Sequence, residues 1–319
     1  MELGNEVRRL IADTLAGWTL AAKNFADLAS VEKRSLSVGL CHAVLQHNAA
    51  RIASTTAKID AETLKSRKCF LCEENISAEQ PQLPWDGGRY FIRINPYPIF
   101  DGHLVISAAE HVAQRLGERI KDMLRLCEEL PEYTLFYNGA YCGASAPDHM
   151  HFQASPRGGM PIESDCAIAK QSVLYHSDRK QTMLCSCTDD LERFYYQIDS
   201  ADIEGCVETY LRLEQLIPRP AGADEPWVNV ISFKEDGWWH VLVFPRYCTR
   251  PHCYFGESLE TALISPASVE MGGLLILPRK EDFERFTITM AKRMFREVSM
   301  SEEECAQVAE AFRHIELKI

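Results

Sequence analysis

What this 319-residue chain lacks narrows its reading first. No stretch approaches the roughly 18 to 20 continuous apolar residues of a helical membrane span. The opening segment, MELGNEVRRLIADTLAGW, is charged and amphipathic, with neither the apolar core nor the small-residue cleavage site of a secretory signal. A cytoplasmic protein with no membrane partner is expected. Basic residues are few beside acidic ones, 34 against 46, for a formal net charge of −12. That argues against a nucleic-acid-coating surface, since phosphate backbones select basic faces. It leaves room for a small basic pocket around one nucleotide. Cysteine, by contrast, is plentiful at twelve. Without an export signal a disulfide framework is not expected, because the cytosol keeps thiols reduced. Most of the twelve read as small hydrophobes, and only Cys69 and Cys72, in KCFLCEEN, stand apart as a pair.

The rest is patterned like a packed domain or two. Residues 2–28 show apolar positions at helical spacing and read as one helix. SLSVGLCHAVLQHN is strand-like with a turn at Gly39. RYFIRINPYPIF alternates and then stops at two prolines, and GHLVISAAEH is a second strand running into a loop. Residues 114–130 form an amphipathic helix closed by Pro131. YTLFYNGA and HMHFQAS are strands joined by a Gly-, Ser- and Pro-containing loop. Further on, two β-rich runs flank Asp236-Gly237, a strong hairpin signal. Residues 281–298 and 301–317 read as closing helices, the second with Ser301 and Glu304 placed for a capping box. Each half mixes antiparallel strands with helices, an α+β pattern. No letter-by-letter internal repeat is visible.

The segment PDHMHFQAS carries the chemistry. Along a strand, residues i, i+2 and i+4 share a face, so His149, His151 and Gln153 line one side. Met150, Phe152 and Ala154 line the other, which suits a core. A solvated face carrying two histidines by chance is the bland alternative. The loop upstream, NGAYCGASAPD, offers glycines, Ser145 and free backbone N–H groups, the features of a phosphate cradle. A histidine beside such a cradle points to nucleophilic attack at phosphorus.

NGAYCGASAPDHMHFQ resembles the active-site segment of the histidine-triad superfamily. The branch is the one in which Gln takes the place of the third histidine: galactose-1-phosphate uridylyltransferases, dinucleoside tetraphosphate phosphorylases and GDP-hexose phosphorylases. INPYPIFDGHLVISAAEH resembles the strand–loop–strand that precedes it there, and KCFLCEEN the uridylyltransferase zinc segment. The likeness spans roughly residues 48–155. It implies two HIT-like halves, about 1–160 and 161–319, each an antiparallel sheet with packed helices, the second completing the nucleotide or sugar site. It implies His151 as a nucleophile that carries a nucleoside monophosphate. It further implies Gln153 as the residue holding the phosphoryl group, and Asn138, Gly143 and Ser145 as substrate contacts. The run from Ser145 to the first histidine is one residue longer than the family's pattern, because Asp148 intervenes. A neutral Gln cannot act as acid or base, so transfer to a phosphate acceptor is favoured over hydrolysis.

Cys69-x-x-Cys72 by itself admits zinc, thiol redox, or two unremarkable cysteines, and structural zinc wants four N or S ligands. The resemblance supplies the other two, His111 and His149, making a structural Cys2His2 zinc site. Downstream histidines occur without a His-x-His, so no iron is expected. Arg51, in HNAARIASTTAKID, belongs either to a phosphate cap or to a solvated loop. Arg246, Arg250, Arg279 and Lys280 belong either to an anion pocket or to surface salt bridges. Trp238 and Trp239 read as core.

The expected activity is that of a nucleotidyltransferase or phosphorylase. Its substrate would be a nucleoside diphosphate sugar or dinucleoside polyphosphate, and its acceptor phosphate or a sugar phosphate. The rivals are a HIT-type nucleotide hydrolase and a non-catalytic, zinc-bearing nucleotide-binding protein. A monomer or homodimer is expected.

Overall fold

A computed structural model describes residues 2–56, 61–255 and 261–316. Thirteen strands are formed among them. They are β1 (Glu32–Val38), β2 (Cys41–His47), β3 (Leu83–Trp85), β4 (Tyr90–Ile94), β5 (Leu104–Ala108), β6 (Tyr133–Asn138) and β7 (His151–Pro156), then β8 (Lys170–Ser177), β9 (Thr182–Thr188), β10 (Phe194–Ser200), β11 (Val228–Glu235), β12 (Trp238–Pro245) and β13 (Leu274–Leu277). Ten of them build one continuous antiparallel sheet in the order β3-β4-β5-β7-β6-β11-β12-β10-β9-β8. The antiparallel sheets of the two halves join edge to edge. β6 and β11 pair across the middle, Asn138 opposite Asn229 and Leu135 opposite Ser232, and fuse the halves.

The order holds a structural repeat that the letters hide. From its outer edge inward, the first half runs third strand, fourth, fifth, seventh, sixth. The second runs eighth, ninth, tenth, twelfth, eleventh. Each half inserts a helix at the same point: Ile120–Glu129 between β5 and β6, and Ile203–Leu216 between β10 and β11. The small sheet β1-β2-β13 crosses this division, since β13 runs parallel to β2.

Two apolar cores flank the large sheet. On one face Met150, Phe152 and Ala154 are fully buried with Leu124, Leu126, Leu213 and Phe312 from the helices, the apolar side the alternation requires. On the other face Phe136, Ile231, Leu242 and Phe244 pack against Leu45, Leu275 and Phe295. The first helix breaks at Trp18, whose backbone is extended, so residues 2–28 form two helices. Residues 280–298 likewise divide, with Thr287 capping the second helix through its hydroxyl. The Asp236-Gly237 hairpin has both residues at positive φ, 49° and 86°, as a type I′ turn demands. Ser301 and Glu304 form the expected capping box. No described helix is long and apolar enough to cross a membrane.

Candidate active site

β7 starts at His151 rather than at His149, which stands just ahead of the strand. Cross-strand neighbours share a face. Ser107 therefore sits beside His151, and Val105 and Phe136 flank Gln153. This face opens onto a cavity of about 580 Å³. Arg51, Asn138, Gly143, Ser145, His151 and Gln153 all line it. The six residues that sequence assigned to substrate and chemistry are thus brought together.

The imidazole of His151 has a fixed tautomer. Its Nδ1 lies 2.8 Å from the carbonyl oxygen of His149. A carbonyl only accepts, so Nδ1 carries the hydrogen and Nε2 keeps its lone pair. Burial pushes the imidazolium down to about 4, which leaves the ring neutral near pH 7. The backbone around it is clamped by Gln114, a buried side chain that sequence reasoning overlooked. Its Oε1 accepts from His151 N at 2.7 Å, and its Nε2 donates to His151 O at 3.0 Å and Asn138 O at 2.9 Å.

Gln153 is oriented the same way, by a second overlooked residue. The N–H of Ile99 donates to His103 Nδ1 at 3.2 Å, so the hydrogen of His103 is on Nε2. That Nε2 lies 3.0 Å from Gln153 Oε1. The amide oxygen is occupied, and the amide hydrogens of Gln153 are what the side chain presents to the cavity. Full burial holds His103 neutral, with its pKa lowered to about 3. The signal was present in FDGHLVIS, where the strand was read and its leading histidine was not.

Asn138 repeats the device. Its Oδ1 accepts from Ser268 N at 2.7 Å and Asn229 Nδ2 at 2.9 Å, so its own amide hydrogens remain for the cavity. Both partners come from the second half, which builds the back wall. Gly143 marks how closely that wall approaches. It has φ 92°, and a Cβ there would lie 2.4 Å from the Cβ of Ala267, so only glycine fits. Glu270 also lines the cavity; burial raises its carboxyl to about 7. Arg51 donates to Tyr97 O at 2.7 Å. Arg246 is neither an anion-pocket residue nor a surface ion pair. It is buried and donates to Val298 O at 3.1 Å and Pro266 O at 2.9 Å, with Asn229 as a further partner. Arg279 pairs with Asp282. Trp239 is core, whereas Trp238 is half exposed.

Cys69, Cys72, His111 and His149 form one cluster, their ligand atoms all within 4.8 Å of one another. Among the described residues it is the one group of its kind. His149 donates from Nε2 to Ala108 O at 2.8 Å and so turns its Nδ1 lone pair to the sulfurs. Nδ1 lies 3.4 Å from Cys69 Sγ and 3.5 Å from Cys72 Sγ, and His111 Nδ1 lies 3.1 Å from Cys72 Sγ. Metal bonds of about 2.0 to 2.3 Å in a tetrahedron put ligand atoms roughly 3.3 to 3.8 Å apart. The separations of 3.1 to 3.5 Å are close to that spacing, and the four residues could hold a metal. Asp148, in the loop just ahead of His149, pairs with Arg67 at 2.8 Å and stands 3.8 Å from His111 Nε2.

With this geometry in hand, comparison with known proteins is informative. A family model described as a domain of unknown function, DUF4922, matches residues 10–156, and one described as GDPGP1-like, C-terminal domain, matches residues 228–318. The second of these models places the chain's last third beside GDPGP1-like proteins. Yeast Ap4A phosphorylase Apa2 in complex with Ap4A superposes with a TM-score of 0.62 at 16% identity, covering 92% of this chain and 97% of that one. The same yeast enzyme with AMP gives 0.61 at 14% identity, covering 92% and 96%. A third structure of that enzyme gives 0.53 at 15% identity, covering 88% and 94%. At these identities the likeness is one of fold. No curated protein sequence matches the chain.

Proposed function

We propose that this protein is a nucleotidyltransferase or phosphorylase that works by double displacement through a nucleotidyl-histidine. The observation that carries the reading is the fixed pair in the cavity: His151 with a free Nε2 lone pair, and Gln153 with its amide hydrogens turned inward.

His151 Nε2 attacks the α-phosphorus of a nucleoside diphosphate sugar or a dinucleoside polyphosphate. An N–P bond forms, and the bond to the bridging oxygen breaks. The leaving group is itself a phosphate, acidic enough to depart as an anion, which suits a site whose third position is a neutral amide. As charge moves off Nδ1–H, the His149 carbonyl stabilises the developing imidazolium. Gln153 and Asn138 donate to the phosphoryl oxygens, with the backbone around Gly143 and Ser145, where negative charge accumulates. Inorganic phosphate or a sugar phosphate then attacks the same phosphorus, the P–N bond breaks, and a nucleoside diphosphate or a new nucleotide sugar leaves. Gln114 and the rigid strand keep the nitrogen within attacking distance, about 3 to 3.5 Å.

Cys69, Cys72, His111 and His149 would hold zinc. Bound there, zinc supplies a structural tie between the Cys69–Cys72 segment and the start of the nucleophile strand. A similar fold is that of yeast Ap4A phosphorylase Apa2 in complex with Ap4A, which supports a dinucleoside polyphosphate as substrate here.

The test is to incubate the protein and inorganic phosphate with a panel of nucleoside diphosphate sugars and dinucleoside polyphosphates, and to look by mass for nucleoside diphosphate. Quenching at high pH, where phosphoramidates survive, should recover the nucleotidyl group on His151, and His151→Ala should abolish turnover with fold and metal content retained. Label on His149, full activity in His151→Ala, or no turnover of any panel member would overturn the proposal.

A further inference from the structure

Three arginines line the cavity, Arg51, Arg67 and Arg93, with Glu270 as its one carboxylate among the described residues. They are not equivalent. Arg93 is spent on the protein: Nε and Nη2 donate to Gln82 Oε1, and Nη1 donates to Ser107 Oγ and Leu71 O. Arg67 is held but not used up. Nη1 donates to Ser145 O at 2.9 Å and Nη2 to Asp148 Oδ1 at 2.8 Å, so the loop that carries Ser145 fastens the guanidinium in place. Its Nε is shut in by the protein, and the side chain keeps 22% of its surface exposed. The ring of Phe70, which also lines the cavity, backs the guanidinium at 5.3 Å.

A fork of donors, pre-ordered by two anchors and partly open at the cavity wall, matches a phosphate better than a lysine would. We propose that Arg67 binds the phosphate that is not transferred, the leaving phosphate in the first half of the reaction and the acceptor phosphate in the second. Asp148 is its positioning residue. This inference rests on the nucleotidyl-transfer reading above. It predicts that the site prefers nucleoside diphosphates to monophosphates and that the preference resides in Arg67.

Calorimetric binding of the mono- and diphosphates of adenosine, guanosine and uridine tests it without requiring turnover. Wild type should bind at least one diphosphate more tightly than its monophosphate. Arg67→Gln should weaken that diphosphate by about tenfold to a hundredfold, the range of a charge-assisted hydrogen bond, and leave the monophosphate within about twofold. Asp148→Asn should fall between. Metal content and melting temperature report damage to the neighbouring cysteine segment. Should Arg67→Gln lose metal, Arg67→Lys decides, with a several-fold loss of the preference expected, because the charge stays while the fork goes. An unchanged preference in a folded, metal-replete Arg67 variant would overturn this inference and leave the function standing. Wild type that binds none of the six nucleotides would overturn both.

Discussion

Replacing Gln153 by glutamate alters a single group by a proton and a charge, and the site gives that change a size. In wild type Oε1 accepts from His103 Nε2 at 3.0 Å, and the amide hydrogens face the cavity. The introduced carboxylate would keep the first contact and put an anion where the donors were. Losing a hydrogen bond to a charged phosphoryl oxygen costs about 1.5 to 3 kcal/mol. Two like charges about 4 Å apart at an effective dielectric of about 20 repel by roughly 4 kcal/mol. Together these slow formation of the nucleotidyl-histidine by roughly 10⁴- to 10⁵-fold. Gln153→Ala removes only the donors and should slow it by about 10- to 150-fold. Single-turnover labelling, quenched at high pH, reads both. Because protonation removes the added charge, the Gln153→Glu rate should recover towards that of Gln153→Ala as pH falls. Equal rates for the two variants across pH would refute the orientation assigned to this amide.

Two further outcomes follow from the surroundings. Protein purified without chelator should carry about one zinc per chain, and Cys69→Ser should lower the melting temperature more than it lowers single-turnover labelling, because a structural site contributes folding free energy; a metal-free, fully folded protein would contradict this. His103 is neutral when folded, its pKa lowered to about 3, while an unfolded imidazole titrates near 6.5. Its contribution is therefore whole above pH 6.5 and is lost as pH falls from there towards about 3. Urea unfolding at pH 7.5 and 5 should show wild type losing about 2 kcal/mol more than His103→Asn over that interval, and parallel pH dependence of the two proteins would argue against a buried neutral imidazole.

How much of this was legible in the sequence depends on how local each cause is. The His-x-His-x-Gln strand, the Asp236-Gly237 turn and the Ser301–Glu304 box are set within a few residues, and each was readable. The single sheet was not. It depends on Asn138 meeting Asn229 across a pairing that no local pattern encodes. The same holds for Asn138 Oδ1, whose donor Ser268 lies 130 residues away. Gln114 reads as the first residue of an amphipathic helix until the fold lays it against the backbone of His151. Asp148 looked like an irregularity in a motif and is the anchor of Arg67. Arg246 misled in the opposite sense. Its charge suggested a ligand or a surface pair, and burial turned it into a brace for carbonyl oxygens, whereas Arg279 keeps the salt bridge its charge suggested.

The repeat raises the question of whether the second half carries a second site. β12 occupies the place of β7, and β10 that of β5. His151 lies opposite Ser107 near the end of β5, and His240 lies opposite Asp199 near the end of β10. His240 is thus the positional counterpart of His151, the proposed nucleophile, but its surroundings differ in every respect that chemistry needs. Its Nδ1 meets Asp199 Oδ1 at 2.7 Å rather than a backbone carbonyl, and its ring stacks on Phe233 at 4.9 Å. Two residues further along the same face stands Leu242 where the first half has Gln153. The two strands are joined by Asp236 and Gly237 alone, whereas β6 and β7 are joined by residues 139–150, the loop that supplies Gly143 and Ser145. A tight turn leaves no backbone to cradle a phosphate. The chain should therefore accept one nucleotidyl group, not two. Quantified against protein concentration, labelling should saturate at about one per chain in wild type, remain there in His240→Gln, and vanish in His151→Ala. Saturation at two, or a loss of half the label in His240→Gln, would show that both halves had kept the chemistry.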